Sequence, residues 1–276
     1  MTSEAPQGHV PVGTRLVPWW PGRRLVGAEL LKLRRRRGLM AATLLLTSGA
    51  MVVVLVIMES LHLANPLHYG PPGGASHLAG FSIALSQLGG IAAIVIGAAA
   101  GAGDVAAGVF RSLVVTGRSR VALFLARVPA GLLTTVLVVA LAYAIVVVAL
   151  VALAGADITP TVGPVLRWGL WVELEAVMVF FVALSLSSLI GSRSITVGVL
   201  LAWQLVLTSI LIGIRPLPDV RQAVLGVALE QLRPHDLDVG SANNVVMTTT
   251  AIAVVLVCWA AVPLALGAWR TATRDA

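Results

Sequence analysis

The chain has 276 residues, of which 58% are apolar and 11% charged, and its mean hydropathy is +0.95. This composition excludes a soluble globular protein and predicts a polytopic membrane protein. The formal net charge of +7 does not predict a nucleic-acid partner, because the basic residues are not gathered on a solvated domain with interleaved aromatic residues.

The N-terminal region divides into a tail and an amphipathic segment. Residues 1–20 lack hydrophobic periodicity and predict a loose cytoplasmic tail, and residues 21–276 form the predicted membrane domain. A helix over 23–37 is expected to lie in the cytoplasmic interface, since one face is apolar and the others are basic. The apolar face consists of Val26, Leu30 and Leu33. A plain positive-inside anchor for the first span is the alternative, and the two roles are compatible.

Six apolar stretches are long enough to cross a hydrocarbon core of ~30 Å as helices, which takes ~20 residues each. They lie at 39–58, 78–102, 128–153, 168–190, 194–213 and 246–268. The first follows a run of arginines and is longer than the core of a cleavable signal peptide, so we expect it to remain as a span. The predicted fold is therefore all-α, with six transmembrane helices and an interfacial helix.

The basic residues alternate between the two ends of these spans. Fifteen Lys and Arg lie in residues 1–38, the 103–127 segment, the turn at Arg193 and the C-terminal tail, against four in the other loops. The positive-inside rule then predicts that both termini of this multi-pass protein lie in the cytoplasm. We expect the membrane to be the plasma (inner) membrane.

Span two carries Gly97 and Gly101 at a small-xxx-small spacing, which permits close helix approach either within the bundle or at a subunit interface. The outer loop at 59–77 is rich in Pro and Gly and is expected to be irregular. It holds Glu59, His62, His68 and His77, but their spacing fits no closed zinc pattern, and no metal site is predicted.

Residues 215–244 contain a helical apolar pattern from Val220 to Ala228, ended by Arg233 and Pro234. It predicts an amphipathic helix lying on or dipping into the outer face, either as a gate over an exit path or as a surface connection.

Glu173 and Glu175 are the clearest ionisable residues inside a predicted span, where a charge is costly. Residues two apart on a helix are rotated by ~200°, so the two carboxyls are not expected to act as an acid/base pair. One of them is a candidate for lining a translocation path, and a structural role is the alternative.

The segment from 103 to 127 lies between two long apolar runs and keeps an amphipathic helical pattern, so we expect something outside the bilayer to dock on it. Asp104 at its start is equally well interpreted as a helix cap. The chain cannot hold ATP in a phosphate-binding loop, because its only lysine, Lys32, has no glycine beside it. Any ATP and Mg²⁺ would be bound by another polypeptide. We expect no enzyme activity and no cofactor in this chain, and the lone Cys258 is expected to pack as a small hydrophobic residue.

Taken together, this layout resembles the membrane subunits of type-2 ATP-binding-cassette exporters. The resemblance covers nearly the whole chain in layout and rests on the 103–127 segment, the N-terminal interfacial helix, the six spans and the outer helical excursion. Asp104 stands where that family more often has glutamate, and Arg127 where it often has lysine.

The resemblance implies a permease that pairs with a second permease copy or a paralogue and with separate ATPase subunits. A helix over 105–117 would be the coupling helix seated in a groove of the ATPase, with the 23–37 helix beside it. The residues it implies for ATPase coupling are Asp104, Phe110, Arg111, Arg118 and Arg120, and those on the interfacial helix are Glu29, Lys32 and Arg34. The expected activity is efflux of a hydrophobic or amphipathic drug, peptide or lipid by alternating access. An ATP-independent secondary transporter and a membrane-anchored assembly protein stay open as alternatives.

Overall fold

The structure, a computed structural model, describes residues 22–106, 119–208, 210, 221–235 and 245–273, with side chains of 104–106 excepted. The regular elements in these ranges are helical, and five helices are long and apolar enough to cross a membrane. The chain is therefore an all-α protein with the character of a multi-pass membrane protein.

Eight helices are numbered here in chain order over the described ranges. The first, α1, is Arg23–Arg35, and the next, α2, begins after a backbone break at Arg36 (φ −76°, ψ 71°). The bounds of the others are α2 Arg37–Ala64, α3 Leu78–Ala106, α4 Arg120–Ala152, α5 Val162–Ile190, α6 Arg193–Leu207, α7 Leu225–Gln231 and α8 Thr249–Thr273.

Five of the six predicted spans are present, but their helices extend beyond the apolar runs. α2 ends at Ala64 rather than 58, so part of the segment predicted as an irregular loop is helical. α4 begins at Arg120 rather than 128, α5 at Val162 rather than 168, and α8 ends at Thr273 rather than 268. Hydropathy marks the part of a helix that hydrocarbon surrounds, whereas polar residues such as Arg and Glu continue the helix beyond it.

One further predicted helix differs in length from the structure. The N-terminal helix ends at Arg35 instead of 37, because the backbone breaks at Arg36. The predicted fifth span, at 194–213, corresponds to α6, which is an apolar helix over Arg193–Leu207, and the rest of that prediction lies mostly outside the described residues. Its last turn, Trp203–Leu207, is a π-helix.

The helices form a bundle whose ends we call upper and lower. At the upper end, the chain after α2 packs against the chain after α4: the Gly73 amide donates to the Leu153 carbonyl (3.1 Å) and the Gly74 amide to the Leu150 carbonyl (2.9 Å). α7 also lies at the upper end. The lower end holds α1, the α5–α6 turn and the C-terminal end of α8. That turn closes on Gly191, whose positive φ of 76° ends α5 in the left-handed conformation that glycine favours.

The core of the bundle is the contact between α3 and α5, the most extensive of all the helix pairs. A Cβ added at Gly97 would lie 2.7 Å from the Ala183 Cβ, and one at Gly101 would lie 2.3 Å from the Leu184 carbonyl oxygen. The glycine stripe therefore packs within the bundle, which was one of the two interpretations of its spacing. The Ser187 hydroxyl crosses this contact and donates to the Ala98 carbonyl (2.8 Å).

Candidate functional site

A cavity of about 400 Å³ lies in the upper half of the bundle, between α3, α5 and α6. α7 and α8 close its remaining sides through Leu229, Glu230 and Trp259. This volume falls within the ~300–1,000 Å³ that small-molecule sites in proteins typically have. The cavity is the main candidate site within the part of the chain that the structure describes.

The polar lining of the cavity comes from four helices and includes two carboxyl groups. Ser86 and Gln87 come from α3, Glu175 from α5, Gln204 from α6 and Glu230 from α7. The Ser86 hydroxyl lies within hydrogen-bonding reach of the Glu175 carboxyl and donates to the Ile83 carbonyl of its own helix (2.9 Å). Glu175 and Glu230 are close enough to interact electrostatically.

Glu230 is held by a buried arginine one turn later on the chain. Arg233 Nη1 lies 2.7 Å from Glu230 Oε1, and the Arg233 side chain is only 5% exposed. Among the described residues no ion pair forms to Glu175. With both acids ionised, the charges of Glu175, Glu230 and Arg233 sum to one negative charge.

The indole N–H groups of two tryptophans hold α7 and the residues just before it over the cavity. Trp171 Nε1 donates to the Leu229 carbonyl on α7 (2.8 Å), and Trp259 Nε1 donates to the Ala223 carbonyl just before it (2.8 Å). Both rings line the cavity, together with Trp203, whose ring centroid lies 6.1 Å from that of Trp259. α7 is therefore attached to α5 and α8 by hydrogen bonds that its own apolar pattern does not specify.

The π-helix of α6 places Gln204 against α3. Gly90 leaves room for the amide, because a Cβ at that position would lie 2.5 Å from Gln204 Nε2. The Gln204 side-chain oxygen is buried and accepts no hydrogen bond from the described residues. Single-turn π-helices are frequent at functional sites, since they redirect side chains by one position.

Glu173 and Glu175 occupy different faces of α5, as their spacing predicts. Glu175 lines the cavity, whereas Glu173 does not, although both oxygens of Glu173 are buried without a hydrogen bond from the described residues. Of the two predicted path residues, the structure thus brings only Glu175 to the cavity. A translocation role stays a prediction for both.

At the lower end, an arginine at the α1–α2 junction and one on α4 reach backbone carbonyls of α3. Arg36 Nη1 donates to the Ala99 carbonyl (3.4 Å), and Arg127 Nη1 donates to the Gly101 carbonyl (3.1 Å). Arg127 is 2% exposed, so its charge is buried against the lower part of α3. These contacts tie the α1–α2 junction and α4 to the same stretch of α3.

The predicted coupling segment connects the lower end of α3 to the start of α4. α3 ends at Ala106 and α4 begins at Arg120, whose Nη1 donates to the Ala272 carbonyl of α8 (3.4 Å). Phe110, Arg111 and Arg118 lie outside the described residues, as do the side chain of Asp104 and most of the predicted 105–117 helix.

The interfacial helix residues lie on α1, which packs against α4 with Leu33 buried. Glu29 and Lys32 form an ion pair (2.6 Å), and Arg34 is exposed. The one lysine of the sequence thus pairs with its own helix. The tail at 1–20 lies outside the described residues.

The outer-loop histidines do not form a cluster with other ligand types. His62 lies on the last turn of α2, and its Nδ1 lies 2.7 Å from the Tyr69 carbonyl oxygen. Over the described ranges no three His, Cys, Asp or Glu side chains lie close enough to hold a metal ion.

The sequence-based reasoning missed most of the cavity. It considered the helix before Arg233 as a gate, but did not identify Glu230, Gln204 or the tryptophans as lining residues. Gln87 and Gln204 could have been identified as lining residues, because they lie within otherwise apolar runs and polar residues in spans usually face the bundle interior.

Neither a protein-family model nor a curated protein matches this chain.

Proposed function

We propose that this chain is the permease subunit of an ATP-binding-cassette exporter, driven by a separate ATPase that docks on the predicted coupling helix at 105–117. The chain sits in the plasma (inner) membrane with its lower end and both termini in the cytoplasm. It pairs with a second permease copy or a paralogue and moves a hydrophobic or amphipathic substrate through its cavity by alternating access.

The observation that carries the proposal is the connection of the docking segment to the cavity wall through one helix. α3 runs from Leu78 to Ala106, so its lower end leads directly into the segment and its upper half carries Ser86 and Gln87 of the cavity. The distance from Gln87 to Ala106 along a helix is about 29 Å at ~1.5 Å per residue. A push on the lower end of α3 is transmitted to the cavity as a rigid displacement, because a helix is stiff along its axis.

The arginine contacts support a coupled movement of the lower end. Arg36 and Arg127 bond to carbonyls of α3 within its last turns, so α1, α4 and α3 would move together. An ATPase seated under the segment would thereby act on three helices and not on a single loop.

The test is co-purification of the tagged full-length chain from its own membranes in mild detergent, followed by assay of Mg²⁺-dependent ATP hydrolysis. We expect an ATPase in the complex, and loss of it with Arg111→Glu or Phe110→Ala. The matched control is Arg193→Glu, which reverses a charge on an exposed lower-end residue outside the segment. Equal capture of the ATPase by Arg111→Glu and Arg193→Glu, or the absence of any nucleotide-hydrolysing partner, would contradict the proposal.

The sidedness of the segment has its own test. A thiol introduced by Ser112→Cys, in a Cys258→Ser background, is expected to react with a membrane-impermeant reagent only after cells are opened. Labelling in intact cells would place the segment on the outer side, where no ATPase could reach it.

A secondary transporter is the second candidate, and the observation that favours it is Glu175 in a cavity at membrane depth. Such a carboxyl can bind a coupling proton or cation. Transport that persists after ATP depletion but stops when ion gradients are dissipated would favour this alternative over the exporter.

A further inference from the structure

We propose that the cavity between α3, α5 and α6 binds a lipophilic organic cation, with Glu175 as its counter-charge. This deepens the proposed function by naming the substrate class of the same cavity, and it rests on that function only for the direction of transport.

The charge of the cavity selects the sign of the ligand. Arg233 already neutralises Glu230, while Glu175 has no cationic partner among the described residues. Leaving a carboxylate unpaired inside a bundle is costly, and a bound cation removes that cost. An anionic ligand would instead add to the negative charge of Glu175.

The buried oxygen of Gln204 is an independent indication of the same kind. Gln204 lines the cavity, and this oxygen has no hydrogen-bond donor from the described residues. An amide oxygen directs the negative end of its dipole outward, so it stabilises a positive charge beside it. A neutral apolar ligand would leave this group, like Glu175, without compensation.

The tryptophans provide the surface for the rest of such a ligand. Trp171, Trp203 and Trp259 all line the cavity, with the last two rings 6.1 Å apart at their centroids. Aromatic faces attract cations and bury apolar groups at the same time, and tryptophan is the strongest of them. Most of the remaining lining is aliphatic, from residues such as Ile94 and Leu200. The combination fits a cation with a bulky apolar body.

The experiment is equilibrium binding of tritiated tetraphenylphosphonium to the purified full-length chain in lipid nanodiscs, with empty nanodiscs subtracted. Unlabelled tetraphenylphosphonium should displace the label, and tetraphenylborate, of similar shape and opposite charge, should not. Equal displacement by the two ions in the wild-type protein would overturn the proposal without any variant.

The matched variants are Glu175→Gln and Glu173→Gln, which remove a carboxyl from the same helix on the cavity and off it. We expect Glu175→Gln to weaken binding about tenfold or more, equivalent to ~1.4 kcal/mol, and Glu173→Gln to leave it unchanged. Unchanged affinity in a well-folded Glu175→Gln protein would overturn the proposal. Should Glu175→Gln misfold, Trp203→Leu is the second variant, with weaker binding expected from loss of the cation–π contact.

The outcomes separate this inference from the proposed function. Cation binding that depends on Glu175 without any co-purifying ATPase supports the site and refutes the exporter. ATPase capture that depends on Arg111, together with equal binding of the cation and the anion, supports the exporter and refutes the cationic substrate class.

Discussion

Gly101→Ala tests the close packing of α3 on α5, the most extensive helix contact in the part of the chain that the structure describes. The new methyl group would lie 2.3 Å from the Leu184 carbonyl oxygen and 2.8 Å from the Ser187 Cβ. Contacts between carbon and a carbonyl oxygen in proteins are ~3.3–3.6 Å, so the helices must separate by about 1 Å.

The cost of this separation has two parts. Overpacking in a well-packed core costs ~1–3 kcal/mol. The shift also weakens interhelical bonds near the site, among them Ser187 Oγ to the Ala98 carbonyl (2.8 Å) and Arg127 Nη1 to the Gly101 carbonyl (3.1 Å). Such bonds contribute ~0.6 kcal/mol each in membrane proteins. Alanine regains up to ~1 kcal/mol of helix propensity, so we expect a net loss of roughly 1–3 kcal/mol.

Gly80→Ala is the matched control on the same helix. An added Cβ there has nothing within 4 Å, so only the propensity gain of up to ~1 kcal/mol applies and the protein should become slightly more stable. The assay is reversible unfolding in mixed micelles, followed by far-UV circular dichroism. A Gly101→Ala protein as stable as the Gly80→Ala protein would refute the close contact of α3 with α5.

Two further predictions concern the upper end of the bundle. Trp171→Phe should increase amide hydrogen exchange across Leu225–Gln231, because it removes a 2.8 Å bond to the Leu229 carbonyl that is worth ~1 kcal/mol. Trp168→Phe is the control and should leave the exchange unchanged, because the indole N–H of Trp168 has no acceptor among the described residues. Arg233→Ala should lower the free energy of unfolding by about 2–3 kcal/mol. This is less than the ~3–5 kcal/mol expected for a fully buried pair, because the Glu230 side chain is 16% exposed. A loss below about 0.5 kcal/mol, within the ~0–1 kcal/mol of surface pairs, would show that solvent screens the pair.

The local patterns of the sequence predicted that these helices exist, though not all of their bounds, because each pattern has a local physical cause. The apolar runs predicted the five membrane-length helices of the described residues, since the hydrocarbon thickness sets a minimum length for a spanning helix. The face of Val26, Leu30 and Leu33 predicted α1, whose Leu33 is buried. The helical spacing before Arg233 likewise predicted α7, although α7 begins at Leu225 and most of its side chains are buried.

The sequence by itself determined that Glu173 and Glu175 lie on different faces of one helix, because the rotation per residue is a property of the helix alone. Only the tertiary structure decided that Glu175 is the one that lines a cavity, because that depends on which neighbours α5 meets. The same holds for the pairing of Glu230 with Arg233 at 2.7 Å beside that cavity and for Gln204 opposite Gly90. Residues far apart in the chain are brought together by helix packing, and no local periodicity encodes which faces will meet.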